Sequence, residues 1–323
     1  MTSIAETTAF EPIRRDEATA FAVMAAVLVI APFTGLYPYF VMQALCFALF
    51  ACAFNLLVGY GGLLSFGHAM FLGTAGYITA HALKVWGVGP ATGVLLGVAA
   101  SAALALATGI VAIRRQGIYF AMTTLALSQL LYFVYLQAPF TRGEDGIQGV
   151  PRGRLFGVFD LEQPLALYFT VVVVFLLAFL LIVRIIHSPF GEVLKSIREN
   201  EQRAISLGYR TVQYKLLAYV LSGCLAGLAG AIKVLVAQNA SLTDVYWSMS
   251  GEVVLITLVG GLGTIFGPVV GAFIIIAMQQ YLAPFGQWVM VIQGVVFVVC
   301  VLTFRRGVVG EIARALGSGC RRP

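Results

Sequence analysis

Few side chains in this chain could do chemistry, and most of those that could sit in apolar surroundings. His68 lies beside Gly67 in a long uncharged stretch, with Ser65 three residues before it. Polar groups inside a membrane are costly and are usually satisfied by a neighbouring helix. A structural hydrogen bond is therefore the first reading of His68, and contact with a transported solute the second. Thr264 is the matching hydroxyl in a late glycine-rich block. Glu252 stands at the start of the last long apolar run. It reads as a helix N-terminal charge near the outer surface, where the helix dipole favours a carboxylate, with a proton or substrate site as the alternative. His81 and His187 fall near span ends, where interfacial groups belong. Cys46, Cys52, Cys224, Cys300 and Cys320 show no Cys-x-x-Cys spacing, so neither a metal site nor a disulfide framework is expected. No lysine follows a glycine, so a Walker A phosphate loop is absent, as are His-Glu-x-x-His and Gly-x-Ser-x-Gly. The chain is not expected to be an enzyme or to bind a cofactor. If ATP drives it, another subunit must bind the nucleotide.

The elements that must position these residues are membrane spans. The 323 residues are 60% hydrophobic and 11% charged, against about 25% charged in a soluble domain. This excludes disorder, a collagen-like chain and an ordinary cytosolic enzyme. A spanning helix needs about 20 mostly apolar residues. Charge-free stretches run over 18–83, 85–113, 116–141, 163–183, 216–232 and 253–304. Fifteen of the twenty Lys and Arg residues fall at Arg14 and Arg15, Arg114 and Arg115, Arg184 to Lys215, and Arg305 to Arg322. Basic residues mark the cytoplasmic side. The charge map is satisfied by about ten spans, near 20–36, 39–58, 63–83, 91–113, 117–138, 164–186, 216–236, 249–262, 267–283 and 287–304. The eighth is short enough to be a half-helix, so eight to ten is the range. The fold class is an all-α integral membrane protein, in which a permease domain at 20–304 lies between cytoplasmic tails at 1–19 and 305–323. No small-residue cleavage site follows the first apolar stretch, which reads as an uncleaved span.

Small residues let membrane helices approach closely. Ser65, Ala69, Gly73, Gly76 and Ala80 keep to one helical face at steps of three and four. Gly260, Gly263, Gly267 and Gly271 make a similar late seam, with Pro268 at a plausible first helical position. Close packing is the first reading of both, and a broken helix lining a pathway the second. Gly61 to Gly67 also matches Gly260 to Gly267 with one insertion, which suggests an internal repeat. The topology gives both segments one orientation, whereas a five-span repeat is inverted.

The segment Ser188 to Gly208 reads as one cytoplasmic amphipathic helix. Ser188 is its N-cap, Pro189 its first residue and Gly208 its C-terminal stop. Phe190, Val193, Leu194, Ile197, Ala204 and Leu207 share one side; Glu192, Lys195, Glu199, Gln202 and Arg203 share the other. Periodicity alone does not decide between a helix on the lipid headgroups and a helix that docks a cytoplasmic partner.

Five ordered blocks resemble the LivM-type permeases of branched-chain amino-acid ABC importers. They are Asn55-Leu-Leu-Val-Gly-Tyr-Gly-Gly-Leu-Leu-Ser-Phe-Gly-His-Ala-Met-Phe-Leu-Gly73, Gly117 to Ala126, Thr141-Arg-Gly-Glu-Asp-Gly-Ile147, Ser188 to Gly208, and Gly260-Gly-Leu-Gly-Thr-Ile-Phe-Gly-Pro268. One departure is Ala75-Gly76-Tyr77, where that family usually reads Gly-Ala-Tyr. The resemblance implies an ABC-importer permease fold in a bacterial inner membrane, with both termini cytoplasmic. It implies a homologous LivH-like second permease, two ATPase subunits that use ATP, and an external substrate-binding protein. Lipid is the surrounding solvent, and no nucleic-acid partner is expected. In that frame 188–208 is the coupling segment, with Gly191, Glu192, Leu194, Ile197, Arg198, Glu199, Asn200, Ala204 and Gly208 facing the ATPase. Ser65, His68 and Thr264 are the polar pathway candidates. Gly67, Gly73, Gly76, Gly260, Gly261, Gly263 and Gly267 are the packing or pathway glycines. A urea or short-chain amide permease shares this architecture. An ion-coupled secondary transporter or a channel would need no ATPase.

Overall fold

The computed structural model of the chain describes residues 15–35, 37–155, 159–286, 288–303 and 307–310. The predicted terminal tails lie largely outside them. The helices are α1 (Arg15–Ile30), α2 (Pro38–Asn55), α3 (His68–Lys84), α4 (Pro90–Ala112), α5 (Ile118–Gln137), α6 (Pro164–Ile186), α7 (Pro189–Glu199), α8 (Glu201–Ser206), α9 (Thr211–Ala237), α10 (Trp247–Gly260), α11 (Gly267–Leu282) and α12 (Trp288–Thr303). Proline opens α2, α4, α6 and α7, where its missing N–H is no loss and its fixed φ is already helical. A π-helical turn, Leu56–Tyr60, extends α2. With it, α2 joins α4, α5, α6 and α9 as the five helices among the described residues that are long and apolar enough to cross a membrane. Two-residue ribbons are the exceptions to an all-α fold. β1 (Ile147–Gln148) pairs with β4 (Asn239–Ala240), and β2 (Arg154–Leu155) with β3 (Phe159–Asp160).

α2 lies at the centre and packs on α6, α9, α10 and α11. From Ala44 to Leu57 every side chain is buried. Burial on all sides removes any need for an apolar stripe, and the sequence of α2 is accordingly apolar all round. The α3, α4 and α9 group forms the second tight unit. Its contacts are made by small residues. A Cβ on Gly97 would lie 2.7 Å from the Ala75 carbonyl oxygen, and one on Gly227 would lie 2.5 Å from Ser101 Cβ. Ser101 Oγ donates to the Gly223 carbonyl at 2.8 Å.

Four sequence readings are corrected here. The third span begins at His68, not 63; residues 61–67 are irregular, so Ser65 is not on the helical face of Ala69, Gly73 and Gly76. Gly260, Gly263, Gly267 and Gly271 are not one seam. They are distributed over α10, a turn and α11, where Pro268 is the second helical residue rather than the first. The hairpin closes because a Cβ on Gly271 would meet the Ile256 carbonyl oxygen at 2.1 Å. The segment 188–208 is two helices. Asn200 is extended (φ −155°) and its side chain accepts from Arg203 N at 3.0 Å, capping α8. Leu207 falls past the end of α8 and is exposed rather than on the buried side.

α10 has 14 residues, about 21 Å at 1.5 Å per residue, against a hydrocarbon core of about 30 Å. Its short length follows from the chain that precedes it. Residues 239–246 are non-helical apart from one 3₁₀ turn (Leu242–Asp244) and lie against α3, where a Cβ on Gly73 would meet Val245 Cγ2 at 2.3 Å.

Candidate functional site

Two irregular breaks, 61–67 between α2 and α3 and 261–266 between α10 and α11, meet at one end of the bundle. Asn55 joins them. Its Nδ2 donates to the Thr264 carbonyl at 2.8 Å, and its Oδ1 accepts from Gly263 N at 2.9 Å. The backbones approach so closely that a Cβ on Gly59 would lie 2.9 Å from Gly263 N. Gly62 (φ +68°) and Gly261 (φ +121°) turn the chain through conformations that side-chain-bearing residues rarely adopt.

α7 lies across this junction. The Arg198 guanidinium donates to the Gly59 carbonyl. The side chain runs over Gly62, where a Cβ would meet Arg198 Cγ at 2.9 Å, and a Cβ on Gly61 would lie 3.6 Å from Leu194 Cδ1. The second half of the segment is clamped elsewhere. Glu201 Oε1 pairs with Lys215 Nζ of α9 at 2.6 Å, and its Oε2 accepts from Gln116 Nε2 at 2.9 Å. Phe190 stacks on Tyr214 with ring centroids 5.7 Å apart. Gly191 is forced by the α6–α7 turn, since a Cβ would lie 2.2 Å from the Ile186 carbonyl oxygen. Leu194, Ile197 and Ala204 are buried against the bundle. Glu192 and Glu199 are exposed, and Gly208 (φ +90°) follows the last turn of α8. The predicted coupling residues thus divide. Leu194, Ile197, Arg198 and Ala204 face the bundle, and Glu192 and Glu199 face away.

Both breaks contact the same helix, so they lie at one end and run in one direction. The Gly61 to Gly67 and Gly260 to Gly267 likeness is therefore not that of an inverted pair.

The three predicted polar candidates are engaged with the bundle. Ser222 Oγ donates to the Ala53 carbonyl at 2.5 Å, which leaves His68 Nε2–H to donate to Ser222 Oγ at 2.8 Å. That network assigns the Nε2 tautomer. Phe54, Phe71 and Tyr219 enclose the ring. Ser65 is fully buried, and its Oγ accepts from Gly67 N at 3.3 Å. Thr264 Oγ1 donates to the Gly261 carbonyl at 2.7 Å and accepts from Gly267 N at 3.1 Å. The glycines are packed: Gly67 on the Thr124 backbone, Gly76 on Val234, and Gly260 on the Gly267 carbonyl.

Glu252 is not in the first turn of α10. It lies in the second turn, where Oε1 accepts from Gln279 Nε2 of α11 at 2.5 Å. Lys233 of α9 pairs with Asp244 at 2.5 Å on the loop before α10. On the same side as this pair, Lys84 donates to the Gln148 carbonyl, and Arg152 donates to the Leu235 and Val236 carbonyls at 3.0 and 2.9 Å. These bonds hold the 139–155 loop onto α3 and α9.

A family model described as "Branched-chain amino acid transport system / permease component" matches residues 36–301. The chain belongs to this permease family. The permease is 26% identical to the high-affinity branched-chain amino acid transport system permease protein LivM of Salmonella typhimurium, over 74% of this chain and 62% of the relative. It is 25% identical to LivM of Escherichia coli over the same shares. The matched stretch thus spans under two-thirds of these relatives. A ribose import permease, RbsC of Bacillus subtilis, is 32% identical over 40% of this chain and 43% of its own. No solved structure gives a significant match. As a permease with five strongly apolar long helices, the chain is a multi-pass membrane protein.

Sequence reading passed over Asn55 as a site residue, although it opens the first ordered block. A buried amide in an otherwise apolar span is the signal that finds it. Lys215, Glu201 and Gln116 carried no such signal, because their pairing is set by where α8 docks.

Proposed function

We propose that the permease is the translocation subunit of an ATP-driven importer for branched-chain or related hydrophobic amino acids. Its partners are a second homologous permease, two cytoplasmic ATPases and an external binding protein. The observation that carries the reading is the junction at Arg198, where α7 touches the backbone beside both glycine breaks. ATP binding in the partners moves α7 and α8. Arg198 passes that motion to Gly59, and Asn55 passes it on to Gly263 and Thr264. Close packing makes the α3–α4–α9 group and the α10–α11 hairpin move as blocks about the breaks, which switches the pathway between outward and inward openings. Ser65, His68 and Thr264 stiffen these blocks rather than meet the solute.

The LivM relatives support amino acids, and the shorter RbsC match makes sugars the competing class. The complex reconstituted with its neighbour-encoded partners is expected to take up leucine, isoleucine and valine in an ATP-dependent manner, and neither urea nor ribose. Uptake of urea or ribose in their place would overturn the substrate assignment. Uptake without ATP would overturn the ATP-driven reading.

Orientation has its own check. A cysteine replacing exposed Gln202 is expected to stay unlabelled when a membrane-impermeant thiol reagent is added outside intact cells, and to react once the membrane is opened. Labelling from outside would place α8 on the wrong face for an ATPase.

A further inference from the structure

We infer that Glu252 and Gln279 form a mid-membrane binding station for the ammonium group of the transported solute. The inference rests on the amino-acid reading above. α10 ends at Gly260, beside the break that α7 covers on the cytoplasmic side. Glu252 lies eight residues back along α10, about 12 Å by helical rise. Gln279 lies twelve residues along α11 from Gly267, about 18 Å by the same measure. Both depths fall in the middle of a hydrocarbon core about 30 Å thick.

The charge arrangement around Glu252 is incomplete. Glu252 is held through one oxygen by a neutral amide. The nearby cation, Lys233, is bound to Asp244, and this pair lies within electrostatic reach of Glu252. With its carboxyl ionised, Glu252 leaves this group of three with one negative charge in excess. Both Glu252 and Gln279 are only partly buried in the single chain. Ionisable side chains inside a membrane almost always face a partner helix or a watered cavity rather than lipid. The α10–α11 surface is therefore assigned to the pathway between two permeases. A zwitterionic amino acid passing there brings the missing positive charge.

The reconstituted complex tests this in two ways. Glu252→Gln is expected to lower leucine uptake at least tenfold, and Glu252→Asp to recover part of it. Gln279→Cys, which leaves Glu252 in place beside the thiol, is measured against the same complex without that substitution and is expected to react faster with a cationic methanethiosulfonate than with an anionic one, and leucine delivered by the binding protein is expected to slow the reaction. Wild-type uptake by Glu252→Gln would overturn the station. So would a cysteine that water-borne reagents never reach, or one that shows no preference for the cation. Where Glu252→Gln fails to assemble, the labelling of the cysteine variant decides. If uptake assays return ribose or urea, the amino-acid reading fails, while the charge preference at Gln279→Cys is still measured. If leucine uptake stands and the preference is absent, only the station fails.

Discussion

Arg198→Ala is expected to uncouple transport from ATP hydrolysis. In proteoliposomes holding the whole complex, the amount of leucine taken up per ATP hydrolysed should fall about 10- to 100-fold. The range follows from a hydrogen bond with a charged donor, about 1.5–3 kcal/mol, lost from the one side-chain contact that joins α7 to the Gly59 carbonyl; each 1.4 kcal/mol of coupling is about a factor of ten. The bond adds little to stability. Dozens of buried apolar side chains hold this bundle together, and a single bond is a small part of that total. Position is what Arg198 supplies. Arg198→Lys keeps the charge but loses the planar fork and should recover part of the ratio. An unchanged ratio in Arg198→Ala would remove Arg198 from the transmission path. If the ATPases no longer co-purify with Arg198→Ala, Arg198 belongs to the docking surface instead. Asn55→Ala should lower the same ratio, because it cuts the second link, from the α2 end to Gly263 and Thr264.

These links also show how much of the molecule was legible in the sequence. Long spans were, because the bilayer demands long uncharged stretches and leaves basic residues in the loops; α4, α6 and α9 fall within a few residues of their predicted bounds. The caps Ser188 and Gly208 were legible for a similar local reason. Helical periodicity continues straight across Asn200, so it hid the division of 188–208; the break comes from an extended backbone and a local cap. Residues 63–67 read as helix because an apolar glycine-rich run looks the same whether it spans or turns. Glu252 was placed at a helix start because the sequence does not show where α10 begins, and two more residues at that start make the difference between first and second turn. Asn55 meeting Gly263 joins positions about two hundred residues apart, and no local pattern carries such a contact.

Gly230→Ala is expected to be strongly damaging, and Gly76→Ala, on the facing helix, to be mild. A Cβ on Gly230 would lie 2.0 Å from the Leu72 carbonyl oxygen and 2.8 Å from its carbon. Those are backbone atoms of α3, fixed by their place in the helix, so α9 and α3 must separate to admit the methyl. A Cβ on Gly76 meets Val234 Cγ2 at 3.2 Å, a side-chain methyl with some freedom to shift. Overpacking of a close interior contact costs about 1–3 kcal/mol and occasionally more. At roughly 2–4 °C per kcal/mol for a chain of this order, Gly230→Ala should lower the melting temperature of the purified permease in detergent by about 5–10 °C, and Gly76→Ala by no more than about 2 °C. The separation would also disturb His68, whose bond to Ser222 crosses between the same two helices at 2.8 Å. Uptake by Gly230→Ala should therefore fall further than its loss of folded protein explains. If Gly230→Ala melts with the wild type, α3 and α9 slide past one another more freely than this packing allows, and they cannot act as one block when α7 moves.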